Sequence, residues 1–204
     1  MLWAPFQEAL RMRRSALPVV VFAVLLASTA WAQPSGHAAF LSFTAPIPDT
    51  WVAEQPTSSM RLLQYQVPGP SGAEPAAFVV YFFGAGQGGS VDANIARWQS
   101  QFTSADGGPV EPRIERFTVG DMPVTLVELR GTYARSVGMG PGSEARSAQT
   151  LLAAVVETNA GSLYVQLHGA ADVVEAGRKG FDAFVRGITP AQPAGGAGEG
   201  GKRE

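Results

Sequence analysis

Apolar and polar positions along this chain come in short blocks, and the first blocks predict strands. AFLSF (39–43) reads as a first strand, closed by Pro46 and Pro48. MRLLQYQV (60–67) is a second, ended by Pro68-Gly69-Pro70. AAFVVYFF (76–83) is a third, and its nearly unbroken apolar run predicts burial on both faces. The period then changes. Ser90 is placed to cap a helix, with Asp92 in its first turn at the positive end of the dipole, and Val91, Ile95, Trp98 and Phe102 recur at helical spacing.

The second half returns to strands: RIERFTV (113–119), VTLVELRGTY (124–133), TLLAAVVET (150–158) and SLYVQLHG (162–169). Asn159-Ala160-Gly161 joins the last two as an antiparallel hairpin. Between Ala134 and Ser147 the run RSVGMGPGSEAR reads as a flexible loop. A second helix covers about 171–187, with Val174, Phe181, Phe184, Val185 and Ile188 on one side. The order βββ-α-ββββ-α predicts an α+β domain, a mostly antiparallel sheet packed by two main helices.

The ends are of different character. Residues 11–32 carry three arginines, an apolar run from Ala16 to Ala27 and the Ala30-Trp31-Ala32 triplet, the three regions of a secretory signal peptide cleaved before Gln33. The apolar run is too short for a permanent anchor. Met12 is an alternative start, and Arg13-Arg14 fits general secretion better than twin-arginine export. At the other end, PAQPAGGAGEGGKRE has no large apolar residue to bury and predicts a disordered tail. The expected organisation is a signal peptide (1–32), a short extension (33–37), one α+β domain (38–189) and the tail (190–204).

Composition narrows the chemistry. The chain has no cysteine, which excludes a disulfide scaffold, thiol catalysis, haem attachment through Cys and a lipid anchor on Cys. Without the signal segment, 16 acids stand against 12 bases, a net charge of −4 that offers no basis for binding nucleic acid.

One motif invites a specific activity. GAGQGG matches G-x-G-x-x-G at Gly84, Gly86 and Gly89, between a strand and a helix, as in a dinucleotide-binding loop. The layout argues against that use, because a Rossmann unit needs a second parallel strand after the helix, with an acid on it for the ribose. Glu111 falls at a suitable distance but stands among prolines in PVEPR. The glycines are therefore expected to turn the chain, with no nucleotide bound. No cofactor is expected. His37 and His168 are the only histidines, no G-x-S-x-G occurs, and the acids are scattered singly without metal-ligand spacing. No catalytic, cofactor-binding or metal-ligating residue is assigned. Glu115, Asp121, Glu128 and Glu157 are carboxylates that tertiary structure can still bring together.

The first helix carries one unusual feature. Asn94, Arg97 and Gln101 form a polar row directly beside the apolar stripe, in which Trp98 is the expected core anchor. The row reads in three ways: as the helix's wet edge with Arg97 laying its stem along the surface, as donors aimed at carbonyls of a neighbouring loop, or as a ligand-binding row.

These residues also carry a resemblance. Pro48 and Trp51 before a strand, then FFGAGQGGSVDANIARWQSQF with its Asn94, Arg97 and Trp98, then LRGTY (129–133), resemble a group of exported bacterial proteins of unknown function. The order of elements is distantly similar to the PsbP-like fold, a central antiparallel sheet sandwiched by helices. The resemblance implies a periplasmic or extracellular location, no established activity, and a non-catalytic module binding a protein or small ligand of the envelope. An extracytoplasmic hydrolase using unrecognised carboxylates is the alternative. No membrane anchor is expected after signal cleavage.

Overall fold

The computed structural model describes residues 36–70, 72–134 and 145–191. The expected signal peptide, residues 135–144 of the expected flexible loop and the tail from residue 192 lie outside the described residues. In chain order the elements are β1 (His37–Phe40), β2 (Phe43–Pro46), β3 (Val52–Ala53), β4 (Arg61–Val67), β5 (Ala76–Phe82) and α1 (Val91–Gln99). They continue with β6 (Phe102–Thr103), β7 (Arg113–Val119), β8 (Met122–Tyr133), β9 (Arg146–Thr158), β10 (Gly161–Ala170), α2 (Ala171–Arg186) and β11 (Thr189–Pro190).

The class is α+β. Eight strands form one antiparallel sheet in the order β3-β4-β5-β10-β9-β8-β6, with β7 also on β8, and β1, β2 and β11 form a small second sheet. The period-2 alternation of the central strands gives each a two-sided apolar surface. Phe78 and Val80 of β5, Val165 and Leu167 of β10, and Leu152 and Ala154 of β9 face α2. Val155, Ala153 and Leu151 of β9, with Val127 and Leu129 of β8, face α1.

Helix α2 covers its face closely. A Cβ on Gly180 would come within 2.8 Å of Trp51, so a larger residue would push the helix off the sheet. Phe184 is the hinge of the aromatic core, 4.9 Å from Phe78 below and stacked at 5.6 Å on Phe40 of the small sheet above. The nine residues of α1 cover less of the opposite face. That asymmetry leaves room for the site.

Several expectations change. AFLSF is two strands, because the chain reverses at Leu41, whose φ of 49° cannot continue a strand, so that β1 and β2 pair. Helix α1 closes at Gln99 with Ser100 as its C-cap, so neither Phe102 nor Gln101 is helical. Phe102 instead needs the extended backbone of β6 to pair with Tyr133, and it remains buried beneath α1. At the domain ends, His37 pairs with Pro46, Pro190 pairs with Phe43, and the Ala191 N–H donates to the Ser42 carbonyl at 2.8 Å. Residues 37, 190 and 191 thus belong to the domain and not to its extensions.

Candidate functional site

Two irregularities in the sheet build a cleft beside α1. In β4, Arg61 stands opposite Tyr81 while Leu63 stands opposite Val80, so β4 uses two residues where β5 uses one. This bulge reverses the strand's parity. Arg61 joins Gln64 on the α1 side, instead of following Leu63 and Tyr65 into the core. In β9, Gln149 faces Gly131 but Arg146 faces Tyr133, so β9 spends three residues where β8 spends two. Ala148, with φ 52°, absorbs the difference. The result puts Arg146 on the same face as Tyr133.

The cleft has a volume of about 770 Å³, within the ordinary range for small-molecule sites. Val79, Tyr164, Gln166 and His168 from β5 and β10 form its floor, and Trp98, Arg97 and Gln101 lie on the α1 side. Its rings are ordered by one another. Tyr133 packs at 4.2 Å on His168, Phe83 meets Tyr164 edge-on at 5.4 Å, and the Arg61 guanidinium lies 5.6 Å over the Tyr81 ring. None of the described residues lining the cleft is acidic.

The predicted polar row is divided among different surroundings. Asn94 is 1% exposed, and its Nδ2 donates at 2.9 Å to the carbonyls of both Gly88 and Ser90. Arg97 is exposed and donates from Nη2 to the Asn94 Oδ1. The donor aimed at loop carbonyls is therefore Asn94, and Arg97 turns toward the cleft. Gln101 also lines it, from the turn after the helix. Trp98 is 2% exposed and packs with Ile95 and Phe102 while closing one wall of the cleft. Ser90 caps α1 by accepting from the Ala93 N–H at 3.2 Å.

The glycine loop is a packed turn. Gly84, Gly86, Gly88 and Gly89 all have positive φ, a region that favours glycine. A Cβ on Gly88 would lie 2.5 Å from the Tyr164 hydroxyl, which itself donates to the Gly89 carbonyl at 3.1 Å. Both neighbours of β5 are antiparallel to it, and the strand after α1 pairs antiparallel with β8. The loop thus opens no βαβ unit, which is the arrangement a dinucleotide site requires.

The four candidate carboxylates do not converge. Glu115 and Glu128 share a second cleft of about 460 Å³ on the α2 side, which Asp121 and Glu157 do not line. Each has a cation. Arg186 donates to Glu115 at 2.8 Å, and Arg178 grips Glu128 in two-pronged fashion at 3.1 and 3.3 Å while its Nε bonds Glu175 at 3.0 Å. Arg130 also donates to Glu128. Burial would push the Glu128 carboxyl up, but these bonds outweigh it and hold it below the ordinary value. At Asp182 burial, helped by the nearby Glu115 and Glu128 charges, prevails over Arg178 and Arg186 and raises the carboxyl. The network ties α2 to β8. Among the described residues, no group of three His, Asp or Glu is placed to hold a metal ion, and no helix is long and apolar enough to cross a membrane.

Reasoning from sequence passed over Arg61, Arg146, Tyr133, Tyr164 and Gln166. The only local hint was the crowding of large residues with polar tips (Tyr, Gln, His, Arg) at alternate positions of strands that otherwise read as core.

No model of a known protein family matches the chain, and no curated protein matches it. Among solved structures, the chain is similar to a crystal structure of a protein of unknown function from Pseudomonas aeruginosa, at 14% identity and a TM-score of 0.45, covering 77% of this chain and 97% of that one. It is also similar to the solution structure of cyanobacterial PsbP (CyanoP) from Synechocystis sp. PCC 6803, at 11% identity and a TM-score of 0.49, covering 81% of this chain and 98% of that one. Both likenesses are distant and concern the fold alone.

Proposed function

We propose that this protein is an exported, non-catalytic module of the cell envelope that holds a small ligand in the cleft between α1 and the sheet. The observation that carries this reading is the cleft itself. It combines a volume of about 770 Å³ with a wall of preordered aromatic rings and polar side chains drawn from several elements. Aromatic and amide groups of this kind bind and orient a molecule. The signal-like N-terminus supports export, and the resemblance to exported bacterial proteins around residues 82–102 supports an envelope role. Against a hydrolase stands the pairing of Glu115 and Glu128 with arginines, which makes them struts between α2 and the sheet.

A thermal-shift screen of the exported protein against small metabolites tests the reading. A ligand present at about 100 times its Kd stabilises the folded state by roughly 2.7 kcal/mol. Ala77, exposed on β5 at the cleft, provides the control. Ala77→Trp should fill the site and abolish the shift. A shift that survives Ala77→Trp, or no shift with any compound, would refute the assignment. N-terminal sequencing of the exported protein should begin at Gln33; a chain retaining Met1 or Met12 would sink the export part.

A further inference from the structure

We infer that the ligand of the α1 cleft is an organic anion with a flat apolar body; this inference rests on the binding role proposed above and specifies its chemistry. The argument is one of charge balance. Arg61, Arg97 and Arg146 all line the cleft, from β4, α1 and β9, and no described acid lines it. On the α2 side of the sheet, Arg130, Arg178 and Arg186 each meet a carboxylate. In the cleft, among the described residues, only Arg146 does, bridging Glu74 at 3.1 Å.

The other two cations are held by neutral amides. Arg61 donates to the Gln64 Oε1 at 2.7 Å, and Gln64 is itself braced by Glu54 through its Nε2 at 2.8 Å. Arg97 donates to the Asn94 Oδ1, and Asn94 is fixed by the carbonyls of Gly88 and Ser90. An amide oxygen orients a guanidinium without forming an ion pair with it, and neither cation meets a carboxylate directly among the described residues. The domain therefore holds two ordered cations, on different elements flanking one cleft, in a chain whose expected mature form is acidic overall. A guanidinium presents its donors in a planar fork suited to carboxylate, sulfonate or phosphate oxygens. The half-buried Tyr81, Phe83 and Tyr133 rings line the same cleft, and such ring surfaces suit a flat apolar body.

A matched pair of fluorescent probes separates charge from hydrophobicity. Anilinonaphthalene sulfonate and uncharged phenylnaphthylamine share the same rings and differ by one sulfonate. The sulfonate probe should bind the full domain at one site, about tenfold or more tightly than the neutral one, with an affinity that falls as salt rises. Arg97→Gln and Arg61→Gln should each weaken the sulfonate probe by about tenfold and leave the neutral probe within about twofold. Arg116→Gln, at an exposed arginine of β7 outside the cleft, should change neither. Unaltered melting temperatures establish that the variants are folded. Equal affinity for the two probes, or indifference of the sulfonate probe to both arginine changes, would overturn the anion assignment while leaving a binding cleft intact. Absence of binding by both probes would overturn the binding role along with it.

Discussion

Replacing Asn94 by alanine isolates the contact that holds the glycine loop to α1. The side chain is almost wholly buried and gives two hydrogen bonds at 2.9 Å, to Gly88 and Ser90. Each such bond contributes about 0.5–1.5 kcal/mol net of its exchange with water. Gly88 is only partly buried, so its released carbonyl can be hydrated and the full desolvation penalty is not incurred. Alanine returns about 0.5 kcal/mol through its better helix propensity. The balance is a loss of about 0.5–2.5 kcal/mol, or a fall of about 1–10 °C in Tm at about 2–4 °C per kcal/mol for a domain of this size. Arg97→Ala removes a bond from an exposed side chain and should stay within about 0.5 kcal/mol. Urea melts followed by tryptophan fluorescence, with equal slopes for the three proteins, measure both changes. Equal costs for the two variants would refute the reasoning, since they would make Arg97 and not Asn94 the tie; so would an Asn94→Ala protein as stable as the parent.

Other consequences can be checked on the same footing. Trp98→Ala should cost about 3–5 kcal/mol by the loss of a ring packed between Ile95 and Phe102, and a loss below about 1 kcal/mol in the same melts would show that α1 is not anchored there. Gly88→Ala should destabilise clearly more than Gly86→Ala, because both have positive φ but only Gly88 would drive a methyl into Tyr164, whereas Gly86 has open space; the comparison fails if the two are alike. Glu128 titrates below its ordinary value of 4.5 in the folded state, so its contribution is present above that value and is lost as the pH falls through the lower folded one. Acid denaturation of the parent should therefore be steeper below pH 4.5 than that of Glu128→Gln, and parallel acid limbs would contradict the pairing with Arg130 and Arg178. Calorimetry with NAD, NADP and ATP should give no heat of binding attributable to the Gly84–Gly89 loop, and heat abolished by Gly86→Ala but not by Ala77→Trp would reverse the reading of that loop.

What the chain determined by itself is whatever depends on neighbours in sequence. Ser90 caps α1 because its hydroxyl reaches the third amide onward, and the α2 stripe of Val174, Phe181, Phe184 and Val185 is buried because helical spacing puts those residues on one side. Thr158 and Gly161 pair across a two-residue turn, as the closeness of the two apolar runs required. The end of α1 was not local in this sense. Phe102 continues the helical spacing, and only β8, whose Tyr133 lies far along the chain, draws it into a strand. The cleft was the least legible part. Alternation assigns side chains to faces only while a strand keeps its register, and one inserted residue reverses the assignment for everything beyond it. The bulges near Leu62 and Ala148 exist in relation to β5 and β8, and nothing within β4 or β9 alone marks where they fall. Arg61 and Arg146 therefore read as ordinary strand-end charges until the sheet is assembled. Tertiary pairing alone decided that both join Arg97 around one cleft.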